Sequence, residues 1–270
     1  MFPNVVFLGK TISLYTIMVI FGIISCLLYT IWICKKEKID DNNVIKLLLV
    51  ALIGAFIGGH LLYAITKIDL IILFFSKINK VNNFKVFIDC MYEIFGGSVF
   101  YGGLIGALLF SYIYVKRKNI DTYLLSDLCA PLIPLFHFFG RIGCFLTGCC
   151  YGIESKIGFT YKHSLISVAN GVNRFPIQLV EAFYNLILFI ILTCFYRKGK
   201  LKGKLIYVYL ISYSIGRYFL EFFRGDEYRG FILGISTSQF ISILIIVFVF
   251  FVLVIKDIKN EKVISKNIKI

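Results

Sequence analysis

An arginine lies in the middle of a long apolar run, the stretch Phe136–Gly152, which reads FHFFGRIGCFLTGCCYG. A charged side chain at membrane depth costs at least about 2.5 kcal/mol, so Arg141 predicts a functional site. Arg141 lies four residues after His137 and three before Cys144, so on a helix the three side chains share one face. The alternative is an arginine that snorkels to the membrane surface, but Arg141 is far from any charged flank.

Two further apolar runs, RFPIQLVEAFYN and GRYFLEFFRG, carry polar residues at helical spacing. They are Gln178, Glu181 and Asn185 in the first run, and Arg217, Glu221 and Arg224 in the second. Tyr15 and Tyr101 add hydroxyl groups near the same half of the predicted membrane, although interfacial tyrosines often serve only as an aromatic belt. Taken one by one, these residues have simple interpretations; Glu221, for example, neutralises its two neighbouring arginines. Together they predict a site where three arginines and two glutamates meet.

Such a site suits a ligand that is part anion and part hydrocarbon. The planar fork of arginine binds phosphate through two parallel hydrogen bonds, which makes a phospholipid head group a natural ligand. The acids would orient the arginines. A transporter for a small anion is the alternative, but the sequence shows no evident inverted repeat.

The cysteines of this stretch, Cys144, Cys149 and Cys150, follow a C-x4-C-C spacing. This spacing matches no standard zinc pattern, so we expect no metal and no tightly bound cofactor. Cysteine is at home in an apolar interior, and packing is the favoured interpretation. A disulfide bond remains a second possibility at this stage.

The composition describes a membrane protein. The chain has 270 residues, of which 59% are hydrophobic, 17% aromatic and only 16% charged. A soluble domain cannot bury so much apolar surface, so we predict one polytopic membrane domain over residues 1–270. The net charge of +14 is explained by lysines in loops on one side of the membrane, and no nucleic-acid partner is expected.

The apolar runs predict an all-α protein with seven transmembrane helices. They cover about 12–34, 44–66, 97–115, 124–147, 176–196, 204–223 and 233–255. Lysine-rich segments follow the first, third, fifth and seventh runs, so the positive-inside rule places the N-terminus outside and the C-terminus in the cytoplasm. Pro131 and Pro134 are expected to break or bend the fourth helix.

Two other features concern packing and the membrane surface. Residues 67–96 contain an apolar run too short to span a bilayer, which predicts an interfacial arm. The Gly54-x-x-x-Gly58 and Gly102-x-x-x-Gly106 pairs predict close contact between helices.

The whole chain resembles the prolipoprotein diacylglyceryl transferase family. The segments SVFYGGLIGALL, GRIGCFLTGCCYG, RFPIQLVEAFYN, GRYFLEFFRG and STSQFIS appear in the family's order and spacing, together with the tyrosine of ISLYTIM. The resemblance implies a multi-pass enzyme of the bacterial cell membrane, with an active site open to the outer leaflet. It implies transfer of the diacylglyceryl group of phosphatidylglycerol to the lipobox cysteine thiol in the signal peptide of a prolipoprotein. A thioether forms and glycerol phosphate is released.

The resemblance also assigns residues. Arg141 matches the arginine of the family's Gly-Arg-x-Gly signature and Gly152 its closing glycine. It implies catalytic roles for Arg141, Arg217, Tyr15 and Tyr101. It implies substrate binding by Arg141, Gly152, Gln178, Glu181, Arg217, Glu221 and Arg224.

Three positions depart from the family pattern. Asparagine and glutamate usually stand where this chain has Cys144 and Cys149, and many members have histidine where this chain has Tyr101. These departures leave the arginines intact but open two alternatives. One is a divergent member that moves a lipid-derived group to another acceptor, and the other is a non-enzymatic lipid-binding or transport protein.

Overall fold

The computed structural model describes residues 3–7, 9–76, 83–226 and 230–267, without the side chains of 7, 10, 100, 101 and 256–267. The protein is mostly helical, as predicted. The helices are α1 (Leu14–Glu37), α2 (Asp41–Thr66), α3 (Ile68–Ser76), α4 (Phe84–Phe95), α5 (Phe100–Lys118), α6 (Thr122–Cys129), α7 (Leu132–Thr147), α8 (Ile177–Arg197), α9 (Leu205–Leu220) and α10 (Thr237–Asn267).

The described residues also contain three two-stranded antiparallel sheets, so the all-α prediction needs correction. The strands are β1 (Asn4–Phe7), β2 (Lys10–Ser13), β3 (Glu154–Thr160), β4 (Asn173–Arg174), β5 (Phe231–Ile232) and β6 (Ile235–Ser236). Two of the sheets lie directly before α1 and α10, at the ends of segments that were predicted as helix. Left-handed glycines, Gly9 before β2 and Gly234 before β6, make these tight turns, a signal that outweighed the apolar character of the flanking residues.

Within the described residues, five helical segments are long and apolar enough to cross a membrane. They are Leu14–Glu37, Asp41–Thr66, Thr122–Thr147, Ile177–Arg197 and Thr237–Ile255. The other two predicted spans correspond to α5 and α9. Helix α9 has 16 residues, which is about 24 Å of helix and shorter than the roughly 30 Å hydrocarbon layer.

The fourth predicted span is interrupted where proline was expected to break it. Helix α6 ends at Cys129, and α7 begins at Leu132 after a turn that contains Pro131. The predicted interfacial arm forms two short helices, α3 and α4, and residues 77–82 between them lie outside the described part. Asn83 caps the start of α4, and its side chain accepts a hydrogen bond of 2.9 Å from the backbone N–H of Lys85.

The chain divides into two compact units, residues 1–29 with 123–270 and residues 30–122. In the smaller unit, α2 and α5 pack through their glycines, as the two small-residue pairs predicted. A Cβ atom added at Gly106 would collide with the carbonyl oxygen of Gly54, and one at Gly58 with that of Gly102. Close backbone approach therefore holds these two helices together.

The larger unit holds the residues around Arg141. Its apolar core joins α8 and α9 through Leu188, Leu192, Leu205 and Tyr209, and Ile133 of α7 packs against this cluster. The carboxylate of buried Asp127 accepts hydrogen bonds from the first backbone N–H groups of the α9 region, at Gly203 and, at 3.0 Å, at Leu205. This contact satisfies orphan donors at the start of α9 and joins that end of the helix to α6.

Candidate active site

One carboxylate joins two arginines in the interior of the larger unit. Nη2 of Arg141 on α7 lies 2.9 Å from Oε1 of Glu181 on α8. Nη1 of Arg217 on α9 lies 3.4 Å from Oε2 of the same carboxylate. The three residues are brought together from three different helices, as the sequence predicted.

The chain of ion pairs continues along α9 to the short 3-10 helix Glu221–Phe223. Nη2 of Arg217 lies 2.7 Å from Oε2 of Glu221, one helical turn further on. The same nitrogen donates a hydrogen bond of 2.9 Å to Oγ of Ser238 at the start of α10. Arginine and glutamate therefore alternate in the order Arg141, Glu181, Arg217, Glu221, and their charges sum to zero.

The four side chains differ in their access to the surroundings. Both glutamate side chains are 2% exposed, that of Arg217 is 9% exposed and that of Arg141 is 19% exposed. A guanidinium group has five N–H donors, of which the contact with Glu181 occupies only part. Of these four side chains, that of Arg141 is therefore the best placed to contact a ligand.

Aromatic and amide side chains pack around these ion pairs. Nδ1 of His137 lies 3.2 Å from the hydroxyl of Tyr209, and its ring lies 5.2 Å from that of Tyr213. Buried Asn185 donates a 2.8 Å hydrogen bond to the backbone carbonyl of Glu181. His137 thus contacts α9, while Arg141, one turn later on α7, contacts α8.

Arg224 has a partner that the sequence did not suggest. Its Nε and Nη2 donate hydrogen bonds of 2.8 and 2.5 Å to the two carboxylate oxygens of Asp226. Although burial acts in the opposite direction, this hydrogen bond raises the pKa of Arg224 above its ordinary value. Asp226 therefore makes the close ion pair with Arg224, whereas Glu221 makes its close ion pair with Arg217.

Gln178 fixes the segment that follows α7. Its Nε2 donates hydrogen bonds of 2.8 Å to the carbonyl of Cys149 and 2.9 Å to the hydroxyl of Tyr161. Burial raises the pKa of Tyr161 to about 12, even though the hydrogen bond from Gln178 acts to lower it. Gln178 is thus placed to shape the loop, one helical turn from Glu181.

Gly152 lies where neighbouring backbone segments approach too closely to leave room for a side chain. A Cβ atom there would collide with the carbonyl oxygen of Phe175, and it would lie 3.1 Å from that of Phe223. Gly152 also pairs with Arg224 in an isolated β-bridge. The closing glycine of the signature therefore permits the contact that positions Arg224.

Arg174 is a structural residue that the sequence-based reasoning missed. It is buried and donates to the carbonyls of Val168, Ala169 and Gly152, at 2.8, 3.3 and 3.3 Å. Its guanidinium also lies 4.3 Å from the ring centre of Tyr151. Its place beside Phe175-Pro176, at the entrance to an apolar helix, was the available signal.

The two predicted tyrosines fall in different units. A Cβ atom added at Gly143 would lie 3.0 Å from Cδ2 of Tyr15, so this ring packs beside α7 two residues from Arg141. Tyr15 is 41% exposed. Tyr101 lies on α5 in the smaller unit, and its side chain is outside the described residues.

The structure brings the three cysteines of the signature together. The Sγ atoms of Cys144, Cys149 and Cys150 all lie within 4.8 Å of one another. Hydrogen bonds from Cys144 and Cys149 lower the pKa of Cys150, against the effect of burial, and Arg224 and Arg141 act in the same direction. The thiols therefore share one environment, close to the end of α7.

This arrangement defines a class of protein. It is a multi-span helical membrane protein with a chain of buried arginine–carboxylate pairs, suited to hold an anionic group beside apolar surface. A sequence profile of the family described as prolipoprotein diacylglyceryl transferase matches residues 3–255. The chain belongs to this family.

Individual relatives agree with the family profile. The chain is similar to the phosphatidylglycerol–prolipoprotein diacylglyceryl transferase of Clostridium tetani, with 33% identity over 94% of this chain and 96% of the relative. It is 33% identical to transferase 2 of Clostridium perfringens, over 88% of this chain and 89% of that one. The Campylobacter hominis transferase is 28% identical, over 96% and 92% of the two chains.

Proposed function

We propose that this protein transfers the diacylglyceryl group of phosphatidylglycerol to the lipobox cysteine thiol of prolipoproteins. The observation that carries the proposal is the chain of ion pairs through Arg141, Glu181, Arg217 and Glu221, in a member of this transferase family. Two relatives are phosphatidylglycerol–prolipoprotein diacylglyceryl transferases, and the chemistry of the site suits the same two substrates here.

The arginines have the central part in the reaction. The acceptor thiol releases its proton to solvent, and its sulfur attacks the glyceryl carbon that is bonded to the phosphate oxygen. A C–S bond forms, the C–O bond breaks, and its electron pair leaves with glycerol phosphate. Arg141 and Arg217 would stabilise the negative charge on the departing phosphate, where the low polarity of the site strengthens the attraction.

The acids would act through the arginines. Glu181 and Glu221 hold the two guanidinium groups in fixed orientations, at 2.9 and 2.7 Å. A site whose cations are already oriented avoids reorganisation when charge develops. The segment after α7 would contribute to substrate binding. Its shape depends on contacts made by Gln178, Gly152 and Arg224, which would therefore help to bind substrate.

Two tyrosines also have roles in the proposal. Tyr15 has an exposed ring beside Gly143 and is placed to contact the lipid. For Tyr101 we retain the sequence-based proposal of a catalytic hydroxyl where many members have histidine. A tyrosine serves as a base only if its pKa is lowered from about 10.

The orientation in the membrane is part of the proposal. Five helical segments are long and apolar enough to span. With α5 and α9 added as two further spans, the positive-inside rule would put the N-terminus outside and the C-terminus in the cytoplasm. Three cations in the last turn of α5, Lys116, Arg117 and Lys118, support a cytoplasmic end there. The protein would then act as one domain in the bacterial cell membrane. Helices α3 and α4 would lie at the outer face of this membrane.

The experiment is complementation of a bacterial strain whose own transferase is placed under a repressible promoter. A lipobox reporter is purified after repression, and its mass is measured. We expect addition of the diacylglyceryl group in cells that carry the wild-type chain. A reporter that stays unmodified, while the protein is present in the membrane, would contradict the proposal and favour another acceptor.

A further inference from the structure

Three thiols meet at one point of the chain, although packing was the expectation from their spacing. Cys144 is buried in the last turn of α7, and Cys149 and Cys150 are partly buried just beyond its end. Their sulfur atoms lie within 4.8 Å of one another. A bilayer interior offers each thiol many apolar neighbours, so packing alone does not require this convergence.

The backbone is bent so that the thiols converge. Gly148 ends α7 with a φ of 76°, and the N–H of Cys149 donates a 3.1 Å hydrogen bond back to the carbonyl of Cys144. Cys150 has a φ of 53°, a left-handed conformation that is uncommon for a residue with a side chain. Gln178 holds the carbonyl of Cys149 at 2.8 Å, so the loop is fixed from α8 as well.

We propose that Cys144, Cys149 and Cys150 bind one Zn²⁺ ion as thiolates and leave its fourth position open. Zn–S bonds of about 2.3 Å put the sulfurs of a tetrahedral site about 3.8 Å apart. The cluster, with all separations below 4.8 Å, needs a contraction of no more than about 1 Å by that estimate. Thiolate ligands select soft or borderline metals, and three protein ligands with an open position are typical of catalytic zinc.

The charges around the cluster suit this ion. Three thiolates and Zn²⁺ carry a net charge of −1. Arg141 stands one helical turn before Cys144 on α7. Arg224 pairs through its backbone with Gly152, two residues after Cys150. Thr147 lies at the rim, with its hydroxyl 3.4 Å from Sγ of Cys149 and 2.9 Å from the carbonyl of Gly143.

The open position would take the thiol of the acceptor, an inference that depends on the proposed function. The acceptor sulfur displaces water from the ion, its S–H bond breaks, and the proton passes to solvent. The resulting thiolate is held next to Arg141, the arginine placed to meet the phosphate. Zinc would thus prepare the nucleophile, while the arginines stabilise the leaving group.

The first test is the metal content of purified protein, measured by mass spectrometry after growth with Zn²⁺. We expect one zinc per chain in the wild type and in the control variant Cys194→Ser, whose cysteine is exposed elsewhere on α8. Cys144→Ser and Cys149→Ser should lose the metal. Wild-type protein without stoichiometric zinc, or with a disulfide and two fewer free thiols, would overturn the proposal.

The second test uses the intact wild-type protein and does not depend on variants that fold. Protein loaded with Co²⁺ should show sulfur-to-metal charge-transfer absorption in the near ultraviolet. A lipobox peptide should shift the visible bands, and the same peptide with serine in place of cysteine should not. A spectrum without the charge-transfer band, or one that both peptides leave unchanged, would contradict the three-thiolate site with an open position.

The two proposals fail separately. Undiminished diacylglyceryl transfer by metal-free protein would overturn the role of zinc in preparing the thiol and leave the proposed function standing. Stoichiometric zinc and thiol binding without transfer would support the site and contradict the function.

Discussion

Glu181 holds Arg141 with one carboxylate oxygen, at 2.9 Å, and turns the other toward a second arginine on the neighbouring helix. This carboxylate is 2% exposed, so its charge is removed from water. A buried acid of this kind is costly unless it is paired, and here it is paired twice. The site around Arg141 therefore depends on Glu181 as much as on the arginine itself.

Glu181→Gln should destabilise the protein. The substitution keeps the size of the side chain but removes the charge that neutralises Arg141 and Arg217. Breaking a buried pair in this way costs about 3–5 kcal/mol. Thermal unfolding in detergent should show a clearly lower midpoint, whereas the control Glu154→Gln, at an exposed position of β3, should leave it nearly unchanged. Equal midpoints for the two variants would show that the charge of Glu181 does not stabilise the protein by neutralising the two arginines.

The contact between α2 and α5 gives a second prediction. Gly106→Ala puts a methyl group into the carbonyl of Gly54, whereas at Gly103 the same group would lie 3.2 Å from the carbonyl of Ala55. Overpacking of this kind costs about 1–3 kcal/mol. Unfolding midpoints should therefore fall for Gly106→Ala and change much less for Gly103→Ala. The reverse order would refute the close helix contact.

A third prediction concerns orientation. Lys162 and Lys200 are exposed residues in the loops before and after α8. In intact cells, a membrane-impermeant maleimide should label Lys162→Cys above the wild-type background and should label Lys200→Cys only after the membrane is opened. Labelling of both positions from the same side would be incompatible with seven spans and an external N-terminus.

The meeting of Arg141, Glu181 and Arg217 was largely predictable because helices obey a simple period. Arg141, Glu181 and Arg217 each stand on an apolar run, and a polar residue in such a run must face the interior of the bundle. The pairing of Arg224 with Asp226 was not predictable in this way, because the two lie beyond the end of α9 in irregular backbone. Arg174 was missed for a similar reason. Its partners are backbone carbonyl groups, which every type of residue provides, so the sequence does not reveal them.

The fold shows the same division. Pro131 predicted the break between α6 and α7, because proline in the interior of a helix removes a hydrogen bond and disrupts it. The short sheets escaped prediction, since five of the six strands in the described residues have only two to four residues, too few positions to show alternation. The meeting of the three thiols also depends on backbone geometry, through the left-handed residues Gly148 and Cys150, which a residue pattern does not reveal.

Transfer by purified protein tests the central claim most directly. Arg141→Lys keeps the charge but loses the planar fork that binds phosphate through two hydrogen bonds. The matched control is Arg117→Lys, at an exposed position in the last turn of α5.

The measurement uses phosphatidylglycerol with one label in the acyl chains and another in the glycerol head group, together with a lipobox peptide. Wild-type protein and Arg117→Lys should move the acyl label to the peptide thiol and release the head-group label as glycerol phosphate. Arg141→Lys should do both at least about tenfold more slowly, which corresponds to about 1.4 kcal/mol of lost stabilisation. Transfer by Arg141→Lys at the wild-type rate would contradict the account.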